Sequence, residues 1–354
     1  MRDRDISNFL QQQVNDAAAA KHALKITGGN SKVFYGREIS GGVLNVAEHR
    51  GILNYEPTEL VITARAGTPL REVEQTLAAQ NQILGFEPPY FGELATLGGT
   101  VACNFSGPRR AAAGAVRDFV LGTRLLNGKG EILKFGGEVM KNVAGYDVSR
   151  LMCGALGTLG VMLDISLRVL PRPERELTLI QELDVVPALA KLHALARQAL
   201  PLSASCADGH QLHIRLSGSA AAVNAAKNII GGEVMANDAV FWQQLREQQL
   251  PFFKTSLPLW RISLASGAPQ LKLPGKWLYE WDGAQRWLFS DADAVMIRSA
   301  VAEHGGHATL FRALRKPDAV FHPLDAGLLK LQQKLKHAFD PAVIFNPGKM
   351  YKEI

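Results

Sequence analysis

Three cysteines in 354 residues are too few and too scattered to organise this chain. Cys103, Cys153 and Cys206 form no Cys-x-x-Cys pair. A disulfide framework, a thiolate metal site and a four-cysteine iron–sulfur cluster are therefore excluded for the chain on its own. Such sparse cysteine suits a reducing compartment. No apolar run approaches the ~20 residues of a membrane span. The charged opening Met1-Arg2-Asp3-Arg4-Asp5 leads into no signal-peptide core. A soluble, or at most peripheral, protein is expected. Two phosphate-binding signatures are also missing. There is no strand-linked GxGxxG, and Gly128-Lys129 is followed by Gly130, not by Ser or Thr, so it is no P-loop.

What is present is ordinary for a globular chain: 47% apolar and 20% charged residues. At ~150 residues per domain, the length predicts about two domains. Lysine plus arginine exceed aspartate plus glutamate by 39 − 33 = 6. So small a surplus suits an anionic ligand better than a nucleic-acid coat.

Apolar spacing predicts a helix over 6–22, strands at 24–26, 43–46 and 60–64, and a helix from the Thr68 cap through about Gln82. Asn127-Gly128 between two apolar runs predicts a hairpin over 119–135. Pro171-Arg172-Pro173 halts helix and strand alike and marks a domain boundary. Beyond it, alternating strands and helices predict a small α+β unit whose sheet is covered on one face. A last helix spans about 324–339. All five tryptophans fall in the second part; most read as core, and Trp242 on a glutamine-rich helix reads as an interface residue.

The chemistry is hinted at by two glycine pairs. Gly28-Gly29, followed by Asn30 and Ser31, ends a strand and lets successive backbone N–H groups converge on an anion. Thr96-Leu97-Gly98-Gly99 opens an apolar helix, whose first N–H groups are a second candidate. Either pair alone could also simply make a turn.

Taken together, a series of segments in fixed order resembles a known family. They are Ile26–Ser31, Ala95–Asn104, Val116–Gly122, Lys141–Asp147, Gly157–Val161 and Asn346-Pro347-Gly348-Lys349. These are similar to the FAD-binding fold of the vanillyl-alcohol oxidase type, shared by flavin-dependent 2-hydroxy-acid dehydrogenases. Gly107-Pro108-Arg109-Arg110, the short cap region and Phe241–Arg246 resemble the smaller FAD-binding subunits of bacterial glycolate oxidases.

The resemblance implies an α+β architecture. Residues 1–172 would form a two-part FAD-binding domain, 173–313 a small α+β cap, and 314–354 a segment packing back on the FAD domain. It implies a complex with a larger FAD-containing subunit and an iron–sulfur subunit. That complex would oxidise glycolate to glyoxylate and pass electrons toward the respiratory chain, on the cytoplasmic side of the inner membrane. Thr27, Gly28, Gly29, Asn30 and Ser31 would meet the pyrophosphate, and Leu97, Gly98, Gly99, Val101 and Ala102 the flavin. Thr158, Gly160 and Val161 would line the groove, with Asn346 carried over from the closing motif alone. No histidine flanks the glycine loops, so non-covalent FAD is expected.

Candidate catalytic groups are Lys141 and Tyr146, facing the flavin ring with Asn142, and His307 near Arg312. Each could equally be structural. His304-Gly305-Gly306-His307 lacks the aspartate, the asparagine and the final histidine of the metal motif in larger relatives, so no metal is expected. Arg109, Arg110 and Arg117 could meet a phosphate, a substrate carboxylate or an acidic partner, or be solvated surface. His210 and His213 read as surface residues beside a turn. The competing reading is an assembly scaffold that keeps the fold without turning over substrate. Gly29→Asp is expected to abolish flavin retention, by bulk and like charge beside the phosphates.

Overall fold

The computed structural model describes residues 3–137, 147–315 and 319–354. Helix α1 (Ser7–Ala20) forms where the apolar spacing predicts it and buries Leu10, Val14 and Ala17. It leads into β1 (Leu24–Thr27), against which β2 (Gly42–Asn45) pairs in parallel, Leu24 opposite Gly42. Next come β3 (Ile52–Glu56), β4 (Val61–Arg65), α2 (Leu70–Ala78), β5 (Gln82–Ile83) and α3 (Leu97–Cys103). The one-turn helices α4 (Arg110–Ala113) and α5 (Val116–Phe119) precede the hairpin of β6 (Val120–Leu126) and β7 (Ile132–Gly136). After α6 (Val148–Leu151) the chain returns through β8 (Val161–Arg168) and β9 (Leu170–Pro171). Strands β3-β4-β8-β6-β7 form an antiparallel sheet. Its inner face packs Ile62, Leu125, Ile165 and Leu167 against Leu70, Val73, Leu97 and Val101 of α2 and α3.

Two local expectations are corrected here. Helix α2 stops at Ala78, because Gln82 is drawn into β5 opposite Pro171. Thr68 does not cap it. Its Oγ1 accepts from Gly51 N at 3.0 Å and donates to Gly51 O at 3.2 Å, leaving the N-cap position to Pro69. The β6–β7 hairpin forms, yet its connection is longer than an Asn-Gly turn. Asn127 Oδ1 accepts from the N–H groups of Lys129 and Glu131, and Gly130 takes the left-handed conformation at φ 75°.

The second half begins with β10 (Arg175–Glu182), α7 (Val185–Leu195), β11 (Leu202–Ala207), β12 (Gln211–Gly218) and α8 (Ala220–Ile230). It continues through β13 (Glu233–Val234), α9 (Asp238–Arg246), β14 (Leu259–Ser263) and β15 (Lys276–Glu280). Strand β16 (Gln285–Phe289), α10 (Ala294–Ala302) and β17 (His307–Arg312) complete it. The strands form one antiparallel sheet in the order β13-β10-β12-β11-β15-β16-β14-β17.

This sheet is covered on both faces, not one. Helices α7, α8 and α10 bury one face through Leu189, Leu192, Val223, Ile297 and Val301. The other face carries Cys206, Leu278, Trp287, Phe289 and Phe311, packed with Trp242 and Leu245 of α9 and with Tyr35 and Phe105 of the first half. Trp242 is therefore core, not interface: it is buried and its Nε1 donates to Thr178 Oγ1 at 2.8 Å. His213, expected at the surface, is buried and stacked on Phe241 at 4.2 Å.

Charge pairs tie the halves together. Arg109, one expected reading of which was solvated surface, is buried. Its guanidinium bonds Glu87 Oε1 at 3.2 Å, Ser217 Oγ at 2.9 Å and the Glu176 carboxylate. Arg215 meets Glu87 from the other side at 2.8 Å, and the two guanidinium groups hold the Glu87 carboxyl below the usual carboxylate range against the opposing effect of burial. Helix α11 (Ala326–Phe339) then carries the chain back to the first half. There Leu24 N donates to Ile344 O at 2.7 Å, extending the edge of β1.

Candidate functional site

A cleft holding about 940 Å³ of open space runs between β1, the start of α3 and the beginning of β8. Of the expected site residues, Thr27, Gly28, Gly29, Asn30, Ser31, Gly98, Gly99, Ala102, Gly160, Val161 and Asn346 line it. Leu97 and Val101 do not: both are wholly buried in the core under α3. Thr158 is buried as well, its hydroxyl donating to Ala155 O at 2.7 Å.

The first glycine loop has unspent donors. Beyond β1, the backbone N–H groups of Gly28, Gly29, Asn30, Ser31 and Lys32 reach no acceptor among the described residues. Half-buried backbone donors in such a run require water or a ligand. The loop is fixed from behind. A Cβ built on Gly29 would stand 1.3 Å from Leu94 O, so glycine is obligatory there for packing. Asn30 adopts the left-handed conformation at φ 55° that an asparagine tolerates.

The second glycine pair behaves otherwise. The expected helix opens here, and Thr96 caps it, its Oγ1 accepting from Gly99 N at 3.2 Å. Leu97 N donates to Thr68 O at 2.9 Å and Gly98 N to Ala66 O at 2.7 Å. The expected second set of free amides is therefore consumed within the chain. What this segment supplies is bare surface: a Cβ on Gly99 would meet only Thr96 Oγ1 at 3.2 Å and otherwise enter the cleft.

Asn346 is spent on the walls. Its Oδ1 accepts from Ile26 N at 2.8 Å and its Nδ2 donates to Leu156 O at 2.6 Å, joining β1 to the turn before β8. Lys336 anchors the same tail from within. Its buried ammonium donates to Thr158 O and Phe345 O at 2.7 Å and to Asp340 Oδ2 at 2.8 Å.

The lining includes Lys25, Lys32 and Lys349 and, among the described residues, no carboxylate. Sequence reasoning quoted Lys349 in its closing motif but assigned no role to any of the three. Lys32 is buried, its Nζ donating to Tyr90 O at 3.1 Å, and burial lowers its pKa below the ordinary lysine range. Cys103 also lines the cleft, and burial pushes its thiol up to about 11. A lysine-bearing cleft with an unpaired amide run, and with no acid among its described lining residues, fits a diphosphate. The apolar remainder, with Ile26, Val46, Ala102 and Leu156, fits the flat rings of a dinucleotide.

The catalytic candidates are not assembled here. Lys141 and Tyr146, with Asn142, lie outside the described residues. His307 is exposed at the start of β17, opposite Ser263, and does not line the cleft. His304 is exposed, with Nδ1 3.0 Å from Ala300 O. Among the described residues no cluster of metal-ligating side chains occurs. Arg110 stacks over Trp281 at 4.4 Å, and Arg117 is exposed beside Asp118.

Comparison with known proteins defines first the class. Residues 8–136 match the model of an FAD binding domain. The fold is shared with alkyldihydroxyacetonephosphate synthase, at 14% identity, a TM-score of 0.68 and coverage of 96% of this chain and 75% of that one. The matched domain model, with this shared fold, gives an FAD-binding domain of the vanillyl-alcohol oxidase type. The chain is 52% identical over the whole of both sequences to the glycolate oxidase subunit GlcE of Escherichia coli K12, and it belongs to that family. It is also 35% identical over 170 residues to a D-lactate dehydrogenase of Anaerostipes hadrus, and 31% over 153 residues to the glycolate oxidase subunit GlcD of Bacillus subtilis. It spans 35% and 32% of those two relatives. Among the described residues no helix is long and apolar enough to cross a membrane.

Proposed function

We propose that this chain is the FAD-binding subunit of a multi-subunit glycolate dehydrogenase. In this reading the complex includes a larger FAD-containing subunit and an iron–sulfur subunit that carries electrons toward the respiratory chain. It works on the cytoplasmic side and reaches the membrane only through the complex. Residues 1–172 and 314–354 form the cofactor-holding part and 173–313 the cap. The observation that carries the reading is the run of N–H groups at Gly28–Lys32 that find no acceptor among the described residues, in a cleft whose described lining has lysines and no carboxylate.

The amides of Gly28–Lys32 hold the diphosphate, with Lys25, Lys32 and Lys349 supplying counter-charge, and bare Gly99 lets a ring approach the backbone. FAD, when bound, supplies a two-electron acceptor for oxidation of a 2-hydroxy acid to the 2-oxo acid. Cys103 keeps its proton at neutral pH and is a poor nucleophile, which supports a flavin held without a covalent bond.

Purification of the chain and of its complex tests this. The expected result is a yellow chain that releases one FAD into solution on denaturation and co-purifies with a larger flavoprotein and an iron–sulfur protein. A colourless chain whose spectrum is unchanged on adding FAD would overturn the proposal. Flavin that stays with the denatured chain would overturn the non-covalent part.

A further inference from the structure

A second cavity, with about 350 Å³ of open space, lies where the eight-stranded sheet meets the first half. Its aromatic walls come from Phe91, Phe105, Trp287 and Phe311. Within these walls stand Gln248, Arg261, Glu280 and Gln285. Arg246 and Ser106 also line it, so aromatic rings and polar groups share the walls about equally, and convergent fixed polar groups orient a small ligand in such a site.

Gln248 points most directly to a ligand. It is 9% exposed, and neither its Oε1 nor its Nε2 has a partner. An unpaired buried amide costs ~1–3 kcal/mol relative to one that is satisfied. Its backbone follows α9 in the left-handed conformation at φ 55°, and the preceding Glu247 accepts from Tyr90 N and Phe91 N. The end of α9 is thereby clamped to the facing loop.

Arg261 is aimed by its neighbours. Its Nε donates to Gln285 Oε1 at 2.8 Å, and Gln285 Nε2 donates to Glu280 Oε2 at 3.0 Å. Trp287 Nε1 donates to the same Glu280 oxygen. Burial pushes the Glu280 carboxyl up to about 7, so near neutrality it carries only part of a negative charge against the arginine. The Arg261 guanidinium lies beside the Tyr35 hydroxyl, and Tyr35 lines the cofactor cleft. The two cavities thus abut across one side-chain pair.

We propose that this second cavity binds a small carboxylic acid with an oxygen on C2, Arg261 pairing with the carboxylate and Gln248 meeting the C2 oxygen. A guanidinium recognises a carboxylate bidentately. A primary amide offers both a donor and an acceptor, which a hydroxyl or a carbonyl satisfies. As a substrate site next to the flavin, the proposal rests on the cofactor reading above; as a binding site it stands on these residues.

Calorimetric titration of the full-length chain with glycolate, acetate and ethylene glycol tests it, with the flavin-to-chain ratio of each preparation measured by absorbance. Glycolate is expected to bind at least about tenfold more tightly than acetate, and ethylene glycol not at all. Gln248→Leu is expected to bring glycolate down to the affinity of acetate, and Arg261→Met to abolish binding of both. Unchanged melting temperatures confirm that the variants fold, and the comparison among the three probes needs no variant. The proposal is overturned if a flavin-loaded chain binds no glycolate, or if folded variants discriminate as the parent does. A flavin-free chain that still prefers glycolate would sustain this site and sink the cofactor reading; a chain that takes up neither would sink both.

Discussion

The two glycine pairs look interchangeable in the sequence, and the structure gives them opposite duties. At Gly28-Gly29 the backbone donors are left over and the side-chain positions are full; at Gly98-Gly99 the donors are spent. The difference lies in what precedes each pair. The first follows a strand whose pairing ends at Thr27, so nothing remains for the next amides to bond. The second opens a helix whose first turn is sewn to Ala66, Thr68 and the Thr96 cap. A glycine pair marks close approach of backbone, and only the hydrogen-bond account of the neighbours tells whether it also grips an anion.

Substitutions can break or sharpen this contrast. The largest effect is expected at Gly29. Even alanine would drive Leu94 O away from a Cβ placed at 1.3 Å, so Gly29→Ala is expected to cost more than about a hundredfold in FAD affinity, or ~2.7 kcal/mol. Bulk against Leu94 is sufficient; the negative charge of an aspartate is not needed. Gly98→Ala is expected to act on the fold, lowering stability by ~1–3 kcal/mol in denaturant melts, because its Cβ would sit 2.7 Å from Ala66 Cβ. Gly99→Ala should do the reverse, leaving the melt unchanged while weakening FAD on the order of tenfold, ~1.4 kcal/mol. Equal melting losses at Gly98 and Gly99 would erase the contrast.

The smallest expected effect is a pH dependence. Burial lowers the Lys32 pKa, so its charge is lost at lower pH than that of a free lysine. A diphosphate favours the charged form, hence FAD affinity should fall as pH rises through the lowered value, and binding there should take up a proton. Lys32→Met should remove that slope in fluorescence titrations across the alkaline range.

Much of this was legible in the residues. Glycine loops, the hairpin and the apolar spacing of α1 announce themselves, because local sterics and periodicity decide them. Strand β3 did not, since Ile52-Leu53-Asn54-Tyr55-Glu56 is an edge strand with an irregular register between Ile52 and Asn54. Strand β16 hid because it buries Gln285 and Arg286, whose polar groups are satisfied by Glu280 and by the carbonyls of Ala268, Pro269 and Gly283. No alternation survives in such a strand. At the site, the wall residues Gly28–Ser31 and Gly98-Gly99 were readable as glycine motifs. The cleft lysines, the spent amides of α3 and the orphaned Gln248 depend on contacts between segments far apart in the chain, and no local pattern encodes them.

Amide hydrogen exchange at Gly28–Lys32 tests the central claim most directly. In the flavin-free chain these amides should exchange fast while those of Leu97–Gly99 are already protected. FAD or ADP should protect Gly28–Lys32 and riboflavin, which lacks phosphate, should not, with Leu97–Gly99 unchanged throughout. Amides at Gly28–Lys32 that stay fast with FAD bound, or protection that arises at Leu97–Gly99 instead, would contradict the account.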